Sequence, residues 1–99
     1  MAFTSKVKNE AIDELFQAIL SLKNQEECYR FFEDLATVSE IKSLAQRLQV
    51  AKMLLDDETY TNISEKTGAS TATISRVKNA LHYGADGYKL VLQRIDKKK

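Results

Sequence analysis

The sequence predicts an all-α fold of six helices. Apolar residues recur at steps of three and four along almost the whole chain, which is the spacing of one face of an α-helix. The 99 residues include no proline and only three glycines, so the composition offers few points at which a helix would break. This length suits one domain, and we predict a single domain over residues 1–99.

Each predicted helix has its own apolar face and its own boundary signals. Asn24 with Glu27 three residues later is typical of a helix start, and Ser70 or Thr71 is a suitable cap for the fifth helix. Gly68 suits the end of the fourth helix. The predicted helices span about residues 5–23, 25–36, 38–56, 59–67, 71–83 and 86–96.

The apolar faces of the first three helices are wide for so short a chain. They carry large side chains such as Phe16, Phe31 and Phe32. A domain of this size buries only about two-thirds of the surface that its unfolded chain exposes. We therefore expect a second copy of the chain to cover part of this apolar surface.

Composition argues against several classes of protein. A hydrophobic content of 43% is too high for a disordered chain, and no run approaches the roughly 20 apolar residues of a membrane span. The first residues lack the apolar core of a signal peptide. The sole cysteine, Cys28, cannot form an internal disulfide and is expected to fill the core. We predict a cytoplasmic protein without a membrane partner.

The two halves of the chain carry opposite charge. The net charge is +1, but residues 1–58 carry −4 and residues 59–99 carry +5. A basic surface confined to one part of a protein is typical of nucleic-acid binding. The alternative is a solvated basic tail at residues 97–99, although the second half keeps +2 without these three lysines.

The basic half, residues 59–99, contains a segment with the layout of a helix-turn-helix, at about residues 59–82. Two short helices meet at Gly68, and Ile63 is expected to face the core. Ile74 and Val77 should anchor the second helix, with Leu81 one turn further on. The other face of this helix begins with short side chains, which allow close approach to base edges. We predict that the 71–82 helix enters the major groove of DNA.

The exposed positions of this motif are the candidate DNA contacts. The first residues of the bracing helix can reach the phosphate backbone, although capping is the more expected role for Thr59. The start of the second helix can bind a phosphate through its N–H groups. The candidates are Thr59, Tyr60, Thr61, Ser70, Thr71, Ala72, Thr73, Ser75, Arg76 and Asn79.

The segment Ala45–Tyr83, and most specifically GASTATISR at Gly68–Arg76, resembles the DNA-binding core of the Trp repressor (TrpR) superfamily. It is most similar to the shorter Trp-repressor-related proteins of the YerC/YecD type, over about residues 20–95. The resemblance implies a six-helix Trp-repressor-like fold that forms an intertwined homodimer. It further implies a transcriptional repressor whose two recognition helices meet a palindromic operator about 34 Å apart.

The resemblance also implies a possible effector pocket. In the Trp repressor two arginines enclose the indole of tryptophan near a threonine, and Arg47, Arg76 and Thr37 stand at the matching positions. Val77 replaces a glycine that lies against the ligand, and Ala80 replaces a serine that holds it. Because the valine would occupy ligand space, we expect no cofactor and no response to L-tryptophan. The two arginines then serve an ion pair or a phosphate contact, and a different small effector stays open.

The residue pattern gives no support for catalysis or metal binding. His82, the only histidine, has no cysteine or histidine near it at the spacing of a metal site, and glutamates flank Cys28. We therefore expect neither an enzyme nor a metalloprotein. Two functions remain open: a dimeric sequence-specific DNA-binding regulator, and a helical protein-interaction module that has lost DNA binding. The polar exposed face of the fifth helix favours the regulator.

Overall fold

Six α-helices make up the regular structure of residues 3–96, the part of the chain that the computed structural model describes. No strand occurs in this range, so the predicted all-α fold of six helices is confirmed. None of these helices is long and apolar enough to cross a bilayer. The helices are α1 (Glu10–Leu20), α2 (Gln25–Leu35), α3 (Val38–Leu55), α4 (Tyr60–Thr67), α5 (Thr71–Tyr83) and α6 (Gly87–Asp96).

The start of α1 differs most from its prediction. The helix was expected from about residue 5, but it begins at Glu10 because Asn9 caps it. The Asn9 backbone is extended, and its side-chain oxygen accepts a hydrogen bond from the Ile12 N–H at 2.8 Å. Lys8 pairs with Asp13 at 2.7 Å from outside the helix. The remaining helices lie within one or two residues of their predicted ends.

The chain divides into two compact units, the first ending at Val38 and the second beginning at Ser39. The first unit contains α1 and α2, and neither helix has a buried residue. The prediction that Cys28 fills the core is wrong for the single chain, where this residue is exposed. The prediction of one domain stays a prediction, and its ends at residues 1–2 and 97–99 lie outside the described residues.

The buried core of the described chain lies in the second unit. It joins the C-terminal half of α3 to α4, α5 and the turn between them. Tyr88 and Leu92 of α6 are partly buried and pack against it. Burying a large apolar side chain stabilises a fold by about 1.5–3 kcal/mol, so these residues fix how α5 lies on α3 and α4. The core residues are Val50, Ala51, Ile63, Ala69, Ile74, Val77 and Leu81.

Two glycines end the helices of this unit for different reasons. Gly68 ends α4 in the left-handed region, with φ +76°, and its N–H donates to the Ser64 carbonyl oxygen at 2.8 Å. Gly84 ends α5, and a Cβ placed there would lie 2.4 Å from the Ala80 carbonyl oxygen. The backbone conformation at Gly68 disfavours most side chains, whereas at Gly84 a side chain would collide with the backbone.

We predict that Gly68→Ala lowers the free energy of unfolding by about 1–2 kcal/mol, because an alanine is strained in the left-handed region. Urea denaturation followed by circular dichroism measures this difference. Gly68→Asn is the matched control and should cost less, since asparagine tolerates this conformation. No neighbouring atom lies within 4 Å of the added Cβ, so equal losses for alanine and asparagine would contradict the conformational explanation.

Candidate nucleic-acid interface

The turn between α4 and α5 is fixed by side-chain hydrogen bonds. The Thr67 hydroxyl donates to the Ile63 carbonyl oxygen at 2.7 Å and accepts from the Ala69 N–H at 3.1 Å. Gln46 of α3 donates through its side-chain amide to the Thr67 carbonyl oxygen at 3.1 Å. The last carbonyl of α4 is therefore tied to α3, and the short turn sets where α5 begins.

Ser70 caps α5, and this decides between the two caps, Ser70 and Thr71, that the sequence allowed. Its hydroxyl oxygen accepts from the Thr73 N–H at 3.1 Å, and the hydroxyl donates to the Thr73 hydroxyl oxygen at 3.2 Å. The N–H groups of Thr71 and Ala72, at the first two positions of the helix, lie outside its own ladder of hydrogen bonds. These two groups and the positive end of the helix dipole can bind a phosphate oxygen.

The outer edge of α5 is separated from its buried face. Ile74 is 1% exposed and Val77 is 2% exposed, whereas Thr73 is half-buried and bonded to the cap. Side chains on the opposite side are short, apart from one arginine, and none of them belongs to the core. This outer edge consists of Thr71, Ala72, Ser75, Arg76 and Asn79, all of which are exposed.

The start of α4 lies beside α5. Thr59 caps α4 by accepting from the Asn62 N–H at 3.1 Å, and Thr61 is exposed. Tyr60 is half-buried, packs against the core and places its ring 5.6 Å from the Lys78 ammonium. The predicted contacts of α4 thus have different surroundings, with Thr59 used as a cap and Tyr60 partly occupied in packing.

Two residues near this surface were not among the sequence candidates. Gln46 positions the turn, and no pattern in the sequence signals its bond to a carbonyl 21 residues away. Lys78 is an exposed basic residue of α5 that the sequence analysis did not place in the site. A helical wheel sets it beside the buried face, and only the position of α4 shows that it meets Tyr60.

The residues of the predicted effector pocket fall in both units. Thr37 belongs to the first unit and is exposed. Arg47 is half-buried in α3 and Arg76 is exposed on α5, both in the second unit. Val77, which replaces the ligand-facing glycine of the Trp repressor, is buried in the core. No group of three or more His, Cys, Asp and Glu side chains able to hold a metal ion occurs among residues 3–96.

Residues 10–96 of the chain match the Trp repressor protein family. The uncharacterised protein YerC of Bacillus subtilis (strain 168) is 59% identical over 90 residues, which cover 91% of this chain and 86% of YerC. A Trp operon repressor homolog of Chlamydia trachomatis serovar L2 is 34% identical over 84 residues, covering 80% of this chain and 89% of the homolog. The crystal structure of a TrpR-like protein from Eubacterium eligens ATCC 27750 matches with a TM-score of 0.89 and 59% identity, over 92% of this chain and 94% of the other. These similarities confirm the resemblance to the Trp repressor family that the segment Gly68–Arg76 indicated.

Proposed function

The chain belongs to the Trp repressor family, and from this premise we propose that it is a sequence-specific, DNA-binding transcriptional repressor of the cytoplasm. In this proposal α4 and α5 form a helix-turn-helix, α4 braces the phosphate backbone and α5 enters the major groove. A homodimer presents two copies of α5 to a palindromic operator. The protein acts by binding and carries out no catalysis.

The separation of the two faces of α5 is the observation that carries the proposal. A recognition helix must be anchored on one side and free on the other, because base edges can be contacted only by side chains that the fold does not need. Ile74, Val77 and Leu81 provide the anchor. The outer edge combines small side chains, hydroxyls, an amide and one arginine, which suit base edges and phosphates better than an apolar protein partner.

The exposed apolar surface of the first unit supports the homodimer. The unit has 38 residues, and isolated domains below about 40 residues seldom fold without a partner or a cross-link. Phe16 and Leu20, one turn apart on α1, are 52% and 83% exposed. Tyr29 and Leu35 of α2 are also at least half exposed. A second copy of the chain offers matching apolar surface, so that each copy completes the core that the other lacks.

The residues around Val77 support a repressor that does not use tryptophan. Val77 is 2% exposed, so its side chain already occupies the inner side of α5. A hydroxyl that would hold the ligand is absent at Ala80. We propose that Arg76, which is exposed, serves the DNA backbone rather than an indole ring.

Selection of bound sequences from a random pool of duplexes tests DNA binding, and we predict that a palindromic site is enriched. On that site Ser70→Asp should weaken binding more than tenfold, because a carboxylate at the start of α5 repels a phosphate there. Ser70→Asn is the matched control, since asparagine and aspartate cap helices equally well but only one is charged. Fluorescence anisotropy measures both affinities, and circular dichroism should show both variants folded.

Wild-type affinity for the selected duplex should also fall as salt rises, with a log–log slope of about −0.9 for each phosphate neutralised. Failure to enrich any duplex would favour the interaction module that has lost DNA binding. Equal affinities for Ser70→Asp and Ser70→Asn would show that the start of α5 does not contact the DNA.

We predict a dimer of about twice the 11.2 kDa chain mass at micromolar concentration. Leu20→Glu should dissociate it, because a carboxylate would be buried between the copies. Tyr83→Glu is the matched control, since Tyr83 is also 83% exposed but lies at the end of α5. Sedimentation velocity distinguishes the species. A wild-type monomer would exclude the symmetric operator, and an unchanged dimer for Leu20→Glu would exclude this part of α1 from the interface.

Titration calorimetry with L-tryptophan should give no tight binding isotherm to the wild-type protein. The expected reason is the Val77 side chain, which is buried on the side of α5 where the family resemblance places the ligand. The selected duplex should bind equally well with and without the amino acid. A clear isotherm, or a change in DNA affinity on adding tryptophan, would contradict the role that we assign to Val77.

A further inference from the structure

Lys78 and Tyr60 meet at the boundary between α4 and α5. The Lys78 ammonium lies 5.6 Å from the centroid of the Tyr60 ring, a distance at which a cation is attracted to an aromatic face. Tyr60 packs against the core, whereas Lys78 is exposed. The Tyr60 ring is therefore held in place by the core, and the Lys78 ammonium beside it is accessible to a second partner.

Lys78 and Arg76 lie on opposite sides of a line along α5 through Ala72 and Asn79. Successive residues of an α-helix are turned by about 100°, so two residues separated by one position point in nearly opposite directions. Val77, between them in sequence, faces the core. Lys78 consequently lies on the side that faces α4, and Arg76 lies on the other side of the line through Ala72 and Asn79.

A helix in the major groove lies between two walls of phosphates, one from each DNA strand. We propose that, within each half-site, Lys78 binds phosphates of one strand, the Lys78 strand, while Arg76 binds phosphates of the other. Tyr60 is then a positioning residue that holds the Lys78 ammonium towards its strand. This inference rests on the proposed DNA binding, and it adds to the interface a residue that was not among the candidate contacts.

The surroundings of Lys78 carry charges of both signs on the α4 side and are polar on the outer side. A groove on the α4 side is lined by Tyr60, Lys78 and His82, together with Asp57 and Glu58. The Glu58 carboxylate accepts from the Asn62 side chain and lies 3.9 Å from the Lys66 ammonium, so its charge is partly balanced. On the outer side, Lys78 borders Ser75 and Asn79, which makes the lysine continuous with the outer edge of α5.

Neutral phosphate substitutions on one strand at a time test the inference. The probe is the duplex selected by the wild-type protein, carrying single methylphosphonates along each strand. Wild-type affinity should fall at positions on both strands. Within each half-site, Lys78→Ala should lose the response on one strand and Arg76→Ala on the other. Because a homodimer loses two such contacts, each variant should reduce the magnitude of the salt slope by about 1.8. Lys52→Ala, which removes an exposed lysine of α3, is the control and should respond as the wild type does.

Variants of Tyr60 test its positioning role. Tyr60→Phe keeps the ring and should retain the response to methylphosphonates on the Lys78 strand. Tyr60→Leu removes the aromatic face and should lose that response. In the background of Lys78→Ala, Tyr60→Leu should cause no further loss on this strand, because the residue acts through the lysine. A purely structural role of Tyr60 would instead weaken the responses on both strands of each half-site equally.

The possible outcomes separate this inference from the proposal on which it rests. If the wild-type protein enriches no duplex, the proposed function fails and the inference fails with it. If the wild type binds but Lys78→Ala keeps the responses on both strands, only the inference is overturned. The same holds if, within one half-site, Lys78→Ala and Arg76→Ala lose the response on the same strand.

Discussion

The burial of three side chains of α5 is the constraint on which the proposed interface depends. Ile74, Val77 and Leu81 lie in one core with residues of α3 and α4. With these positions filled, the rotation of α5 about its own axis is set, and so is the direction of every exposed side chain on it. The bond from Gln46 to the end of α4 fixes the turn before α5 and leaves the helix little freedom to slide.

The first unit has the opposite character. Its two helices carry good caps, at Asn9 and Asn24, but no buried residue. Caps define where a helix begins, while most of the stability of a short helix comes from packing. A unit of this kind is held in place only when apolar surface is supplied from elsewhere. For a homodimer of this family the folded state and the assembled state would then be one equilibrium, and measured stability would depend on protein concentration.

Much of this structure could be predicted from the sequence because local signals and packing agree. The six helices, a cap at Ser70 or Thr71, the turn at Gly68 and the buried positions of α5 all follow from residue type and spacing. The start of α1 was misplaced because the apolar spacing continues through Val7, while one hydrogen bond at Asn9 decides the boundary. Lys78 and Gln46 were missed for another reason: their partners lie on other helices, and periodicity within one helix contains no information about such contacts.

The division of α5 into an anchored and a free face has a consequence for how such proteins diverge. Ala72, Ser75 and Asn79 contribute nothing to the core, so exchanges at these positions leave folding stability almost untouched. Under the proposed function, duplicated copies of the gene can therefore acquire new target preferences one substitution at a time, without passing through an unfolded intermediate. Change at Ile74 or Leu81 has no such freedom because both side chains are buried in the core, and descendants with altered outer edges should still share these two residues or close equivalents.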